Sequence, residues 1–240
     1  MDMLTSKLQV SPYGFSAVGV DELGASEYTL VSICQDASGS VSNFKPEMEK
    51  CIKEIVAACV KSPRNENLML RLQTFGSCLE EVHGFKPLGE CNANDYDDCI
   101  NINGMTALYD SAVNSIEALN AYGKDLVEND FDVNGILIVV TDGDNNSSTN
   151  TVNQVKEAIA SVARDEHLES LVTILVGVNI DEYVQQKLDD FQQEVGFTQF
   201  VALNDADSKT LAKLAQFVSN SVSSQSSALG TGGPSVSLNF

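Results

Sequence analysis

The run Ile136-Leu137-Ile138-Val139-Val140 carries an apolar residue at every position, so a strand built from it must be covered on both faces. That requirement places it inside a parallel sheet with helices above and below. The rest of the sequence supplies both partners. Strand-like runs at 28–34, 68–75, 171–178 and 199–203 alternate with segments of helical spacing: Phe44, Met48, Ile52, Ile55 and Cys59; Leu108, Ala112, Ile116 and Leu119; Val152, Val155, Ile159 and Val162; residues 183–195; and Leu211, Leu214, Val218 and Val222. A further run at 79–85 follows 68–75 after only Gly76-Ser77-Cys78, a link short enough to require an antiparallel pair. The pattern predicts an α/β fold: a doubly wound, mostly parallel, Rossmann-like sheet with one antiparallel edge strand and helices on both faces.

Residues 1–25 read as an N-terminal extension, with glycine at 14, 19 and 24 and one short strand near 15–20. The domain proper covers 26–222, and 223–240 has the Ser/Gly composition of a mobile linker. Ser42 or Asn43 is expected to cap the first helix, with Pro46 in its first turn. At 240 residues, 43% of them hydrophobic, the chain can form one domain, at most two.

Thirty-four acidic against 14 basic residues give a formal charge of −20. With no Lys/Arg cluster to override it, such a surface repels phosphodiester backbones and anionic headgroups, so neither nucleic acid nor a membrane is an expected partner. No apolar run approaches the roughly 20 residues of a membrane-spanning helix, and residues 1–10 lack the pattern of a secretory signal. An intracellular, cytoplasmic protein is expected, a phage-encoded one included. The six cysteines are scattered through periodic segments as free thiols of a reducing compartment, and the Cys91 to Cys99 gap matches no zinc spacing.

In an open parallel sheet, ligands bind outside the carboxyl ends of the strands, so polar residues there come first. Asp36, Ser38 and Ser40 follow the first long strand, Thr106 precedes a helix, and Asp142 follows the central apolar strand. Two carboxylates and three hydroxyls at one sheet edge make an all-oxygen shell suited to a hard octahedral cation, Mg²⁺ or Mn²⁺. Turn-forming and helix-capping serines are the plainer reading, but they leave the coincidence with Thr106 unexplained.

Over residues 26–222 these features resemble the von Willebrand factor A domain family, whose metal-ion-dependent adhesion site reads Asp-x-Ser-x-Ser with a later Thr and a later Asp. Asp36, Ser38, Ser40, Thr106 and Asp142 occupy those places. The resemblance implies that Ser38 and Ser40 ligate the metal directly, Thr106 directly or through water, and Asp36 and Asp142 largely through water. It further implies a non-enzymatic module that captures an Asp or Glu of a partner protein through the metal, and intracellular members often act as adaptors beside AAA+ ATPases or in stress and phage assemblies. In that family the last helix shifts when the metal gains an anionic ligand, which makes residues 209–223 the candidate lever.

Asp142-Gly143-Asp144 admits two other readings. As a calcium loop it fails, with Ser147 where Gly and Asn153 where Glu are needed. As the Asp-x-Asp motif of a Mg²⁺-dependent phosphohydrolase it retains both aspartates but has Asn146 in place of the usual Thr or Val. An assembly scaffold with a structural metal and an inserting C-terminal tail is the third possibility. The loop Asp95-Tyr96-Asp97-Asp98, near the same face, reads as solvated charge or a second cation site, and Glu80-Glu81 and Asp189-Asp190 read as solvated faces without a role. His83 and His167 have no motif neighbours, and no nucleophile elbow or phosphate-binding glycine loop is present.

Overall fold

The structure is a computed structural model that describes residues 6–8, 14–203 and 207–231. Its strands are β1 (Ser6–Leu8), β2 (Phe15–Ala17), β3 (Glu27–Asp36), β4 (Leu68–Phe75), β5 (Leu79–Pro87), β6 (Asp132–Thr141), β7 (Ser170–Val178) and β8 (Gln199–Leu203). They form one sheet in the order β1-β2-β5-β4-β3-β6-β7-β8. The helices are α1 (Lys45–Val60), α2 (Leu108–Val127), α3 (Val152–Asp165), α4 (Glu182–Val195) and α5 (Ser208–Thr231).

From β3 outward through β6, β7 and β8 the pairing is parallel, and β3 is also parallel to β4. Strand β5 runs antiparallel to β4, as its short link demands. The residues before β3 extend the sheet beyond β5: β2 meets it in parallel at Ala17 and Phe85, and β1 pairs antiparallel with β2. The expected edge strand is therefore covered by β2, the short strand expected near 15–20, whose place beside β5 the sequence does not give.

Alternation along the strands divides the core into two layers. Leu30, Cys34, Leu137, Val139 and Leu175 face α2, α3 and α4, whereas Val31, Ile33, Ile136, Ile138, Val140 and Ile174 face α1 and α5. Every residue of 136–140 is buried, so the central strand is covered on both faces as its composition requires.

Two expected boundaries change. Neither Ser42 nor Asn43 caps α1: its N-cap is Phe44, without a side-chain bond, and Ser42 Oγ instead donates to the Gly39 carbonyl at 2.8 Å inside a 3-10 turn, Gly39–Asn43. Helix α5 does not stop at Val222 but continues to Thr231. Gln225 is fully buried there, its carbonyl accepting Asn134 Nδ2 at 2.9 Å and its Oε1 accepting Ser170 Oγ at 2.6 Å. Low-complexity serine hid a helix whose stability comes from docking. The remainder of the expected tail, 232–240, lies outside the described residues. Among the described residues no helix is long and apolar enough to cross a membrane.

Candidate metal centre

The carboxyl ends of β3 and β6 bring four of the five sequence-selected residues into one chain of hydrogen bonds. Asp36, the last residue of β3, is fully buried. Its Oδ1 accepts Ser38 N at 2.8 Å and its Oδ2 accepts Thr141 Oγ1 at 2.6 Å. Ser38 Oγ lies 3.0 Å from Ser40 Oγ, and Ser40 Oγ donates to Asp142 Oδ1 at 2.9 Å. Since the Ser40 proton goes to Asp142, the Ser38 hydroxyl donates to Ser40.

Thr106, also buried, makes no hydrogen bond to these four among the described residues and is held through its backbone to the loop that follows Asp142. Its N–H donates to Asn146 Oδ1 at 2.7 Å, and its carbonyl accepts Asn146 N at 3.0 Å. The loop before it is stitched to the serine loop: Asn103 N donates to the Ala37 carbonyl at 2.8 Å and Gly39 N to the Gly104 carbonyl at 2.9 Å. Gly104 is held at φ 55°, in the left-handed region, where a Cβ would meet Ser77 Oγ at 2.1 Å. These crosslinks hold the three loops together through the protein's own backbone.

Burial raises the Asp36 pKa to about 6 despite the hydrogen bonds from Thr141 and Ser38, and the nearby Asp142 charge adds to the rise. Asp142 is also raised, chiefly by burial and against its bond from Ser40. Two carboxylates that resist ionisation side by side form a site that a positive charge would relieve.

The donor set fits a small hard cation. In an octahedral shell with metal–oxygen bonds near 2.1 Å, neighbouring oxygens lie about 3 Å apart, and the two serine oxygens expected to bind directly, Ser38 Oγ and Ser40 Oγ, are 3.0 Å apart. Both Asp36 oxygens are already engaged by the protein, which suits a carboxylate acting on a metal through water. Among the described residues no three His, Cys, Asp or Glu side chains converge as a metal site, so a cation here depends on the hydroxyls.

Thr141 and Asn146 complete the arrangement and were not singled out in the sequence. Thr141, a hydroxyl at the end of an otherwise apolar buried strand, carried a readable signal; Asn146 acts through a loop contact that no local pattern announces. The loop is further anchored by buried Asp110 of α2, which accepts Asn150 N at 2.7 Å and Thr149 N at 3.0 Å.

The other acidic motifs resolve differently. Asp95, Asp97 and Asp98 are ion-paired with Lys86, Lys53 and Lys45, clamping their loop to β5 and α1, while Tyr96 is buried with its hydroxyl 3.2 Å from His83 Nε2. Glu81 is not an idle surface charge: it accepts Arg71 Nε at 3.0 Å and Ser16 Oγ at 2.6 Å. Cys91 and Cys99 are free thiols.

No protein-family model matches the chain, and no curated protein sequence does. Solved structures do. The PilB minor pilin from Streptococcus sanguinis aligns with a TM-score of 0.59 at 14% identity, over 90% of this chain and 66% of that one. The pilus adhesin SpaC from Lactobacillus rhamnosus GG gives 0.60 at 11% identity, over 84% and 31%. The ArnB paralog VWA2 from Sulfolobus acidocaldarius gives 0.51 at 12% identity, over 82% and 45%. The chain thus spans between 31% and 66% of the length of these structures. At such identities the likeness is one of fold, and that fold is an α/β sheet of von Willebrand factor A-like architecture.

Proposed function

We propose that this chain is a non-enzymatic protein-binding module that holds Mg²⁺ or Mn²⁺ at Asp36, Ser38, Ser40, Thr106 and Asp142 and uses it to capture an Asp or Glu of a partner. The observation that carries the reading is the continuous chain from Asp36 through Ser38 and Ser40 to Asp142, with the two serine oxygens at the spacing of neighbours in an octahedral shell. A bound cation would supply Lewis acidity toward an incoming carboxylate.

The chain's own residues supply the rest. Neutral Ser38 and Ser40 hydroxyls leave most of the positive charge unquenched, whereas Asp36, tied to Thr141 and the Ser38 backbone, stays behind them to fix their loop. Ser40 is exposed while Ser38 and Thr106 are buried, so the cluster has one side open to a partner. A pilus adhesin and a minor pilin share the fold, and a binding role is the class proposed for this chain. An adaptor position beside an AAA+ ATPase or within a stress or phage assembly in the cytoplasm is one setting for it.

Affinity capture from host lysate tests the proposal, with wild type and Ser38→Ala/Ser40→Ala compared in Mg²⁺ and in EDTA. Proteins retained only by wild type in Mg²⁺ are expected. Identical capture in all four arms would contradict the reading.

A further inference from the structure

Two large apolar side chains stand exposed on the loop that carries Thr106: Met105 at 51% and Ile102 at 38%. Their backbone is rigidly held. Met105 N donates to Ser77 Oγ at 2.8 Å, Ser77 N to Asn103 Oδ1 at 2.8 Å, and the loop is bonded to residues 37 and 39 beside the exposed Ser40. Apolar groups presented on a fixed backbone lose little freedom when covered, and a methionine adapts its shape to what covers it.

The surrounding charge specifies the cover. Asp144, two residues beyond Asp142, has no ion pair among the described residues, Lys45 beyond the serine loop is occupied by Glu49 and Asp98, and the whole chain carries −20. A partner that brings a carboxylate to this edge is favoured when its other charges are positive.

We propose that Ile102 and Met105 form the apolar rim of the docking surface, and that the partner is a basic protein segment carrying one Asp or Glu beside an aliphatic or aromatic side chain. The inference rests on the cation-dependent reading above. The carboxylate meets the hydroxyl cluster, its apolar neighbour covers Met105 and Ile102, and flanking Lys or Arg residues face Asp144.

Selection from a displayed random-peptide library on the full chain in Mg²⁺, with elution by EDTA, tests this in three arms: wild type, Ile102→Ser/Met105→Ser and Ser38→Ala/Ser40→Ala, each checked for an unchanged melting transition. Wild type is expected to enrich peptides that join an acidic residue to Leu, Ile or Phe among Lys or Arg. The rim variant is expected to keep the acidic preference, lose the apolar one, and bind the best wild-type peptide about tenfold more weakly. Equal enrichment and affinity in the rim variant would overturn the rim while leaving the cation reading standing, and enrichment without basic residues would overturn the charge assignment. Loss of Mg²⁺ dependence in every arm would overturn both. A Mg²⁺-dependent dimer in light scattering, abolished in the rim variant, would put a second copy of this chain in the place of the basic segment and so contradict the proposal.

Discussion

Asp36 and His83 titrate in opposite senses, and the pH response of the protein depends on both. Burial lifts the Asp36 pKa to about 6, above its unfolded value, so this carboxyl favours the folded state below about pH 4 and loses that contribution as pH rises through 6. His83 is the reverse: burial lowers its pKa to about 4, so the unfolded state takes the proton first and stability falls as pH drops from about 6.5 toward 4. In EDTA the two contributions largely cancel between about pH 4 and 6. Asp36→Asn breaks that balance without breaking the bonds, because its oxygen can accept Ser38 N while its amide donates to Thr141, whose hydroxyl turns to the Gly143 carbonyl 3.0 Å away. The variant is expected to melt about 5 °C higher than wild type in EDTA at pH 7.5 and to gain nothing from Mg²⁺. Its stability should fall by on the order of 2 kcal/mol between pH 7 and 4.5, and adding His83→Phe should flatten that slope. Melting curves in EDTA and Mg²⁺ across this range check all four. For wild type, the Mg²⁺-induced increase in melting temperature should be small at pH 5 and full at pH 7.5, since a cation competes with the Asp36 proton.

Among the elements, the N-terminal strand and the last helix depend most on partners distant along the chain. Strand β2 has only three residues, yet Phe15 and Ala17 are buried, Phe15 packs edge-on against Phe85, and Tyr122 Oη donates to the Val18 carbonyl at 3.0 Å. Glu81 joins this segment to buried Arg71, which also donates to Gln73, Asn114 and Ser115. Glu81→Ala leaves that guanidinium without its charge partner and is expected to cost about 3 kcal/mol. Hydrogen exchange should rise first at residues 15–18. Helix α5 beyond Val222 gives a second expectation: truncation after residue 223 removes the partners that Gln225 provides to buried Asn134 and to Ser170, at a cost of about 2 kcal/mol in denaturant unfolding. Equal stability of the truncated chain would mean that the docked turns contribute nothing.

The central strands and amphipathic helices were legible because burial on both faces, or on one stripe, leaves a period in the sequence. Strand β2 was legible as a short strand near 15–20, but not its place beside β5, and the end of α5 was not legible at all, because serine carries no period and the stabilising partners, Glu81 for one and Asn134 and Ser170 for the other, are distant along the chain. The same division runs through the candidate site. Asp36, Ser38, Ser40, Thr106 and Asp142 stood out because they fall at strand and helix ends, whereas Asn146 holds Thr106 through a loop contact that only the folded chain reveals.

For the molecule as a whole, a charge of −20 has two consequences. It attracts divalent cations weakly over the entire surface, and that attraction is screened by salt. The proposed hydroxyl-bearing site at the ends of β3 and β6 is a separate matter, because it is expected to take one cation and to lose it when the serines are replaced. Calorimetric titration of EDTA-stripped protein with Mg²⁺ in 0.15 M salt, wild type against Ser38→Ala/Ser40→Ala, distinguishes the two directly, since the variant keeps every acidic residue. A single saturable site in wild type that is absent from the variant is the expected result; the same uptake by both proteins would contradict the account.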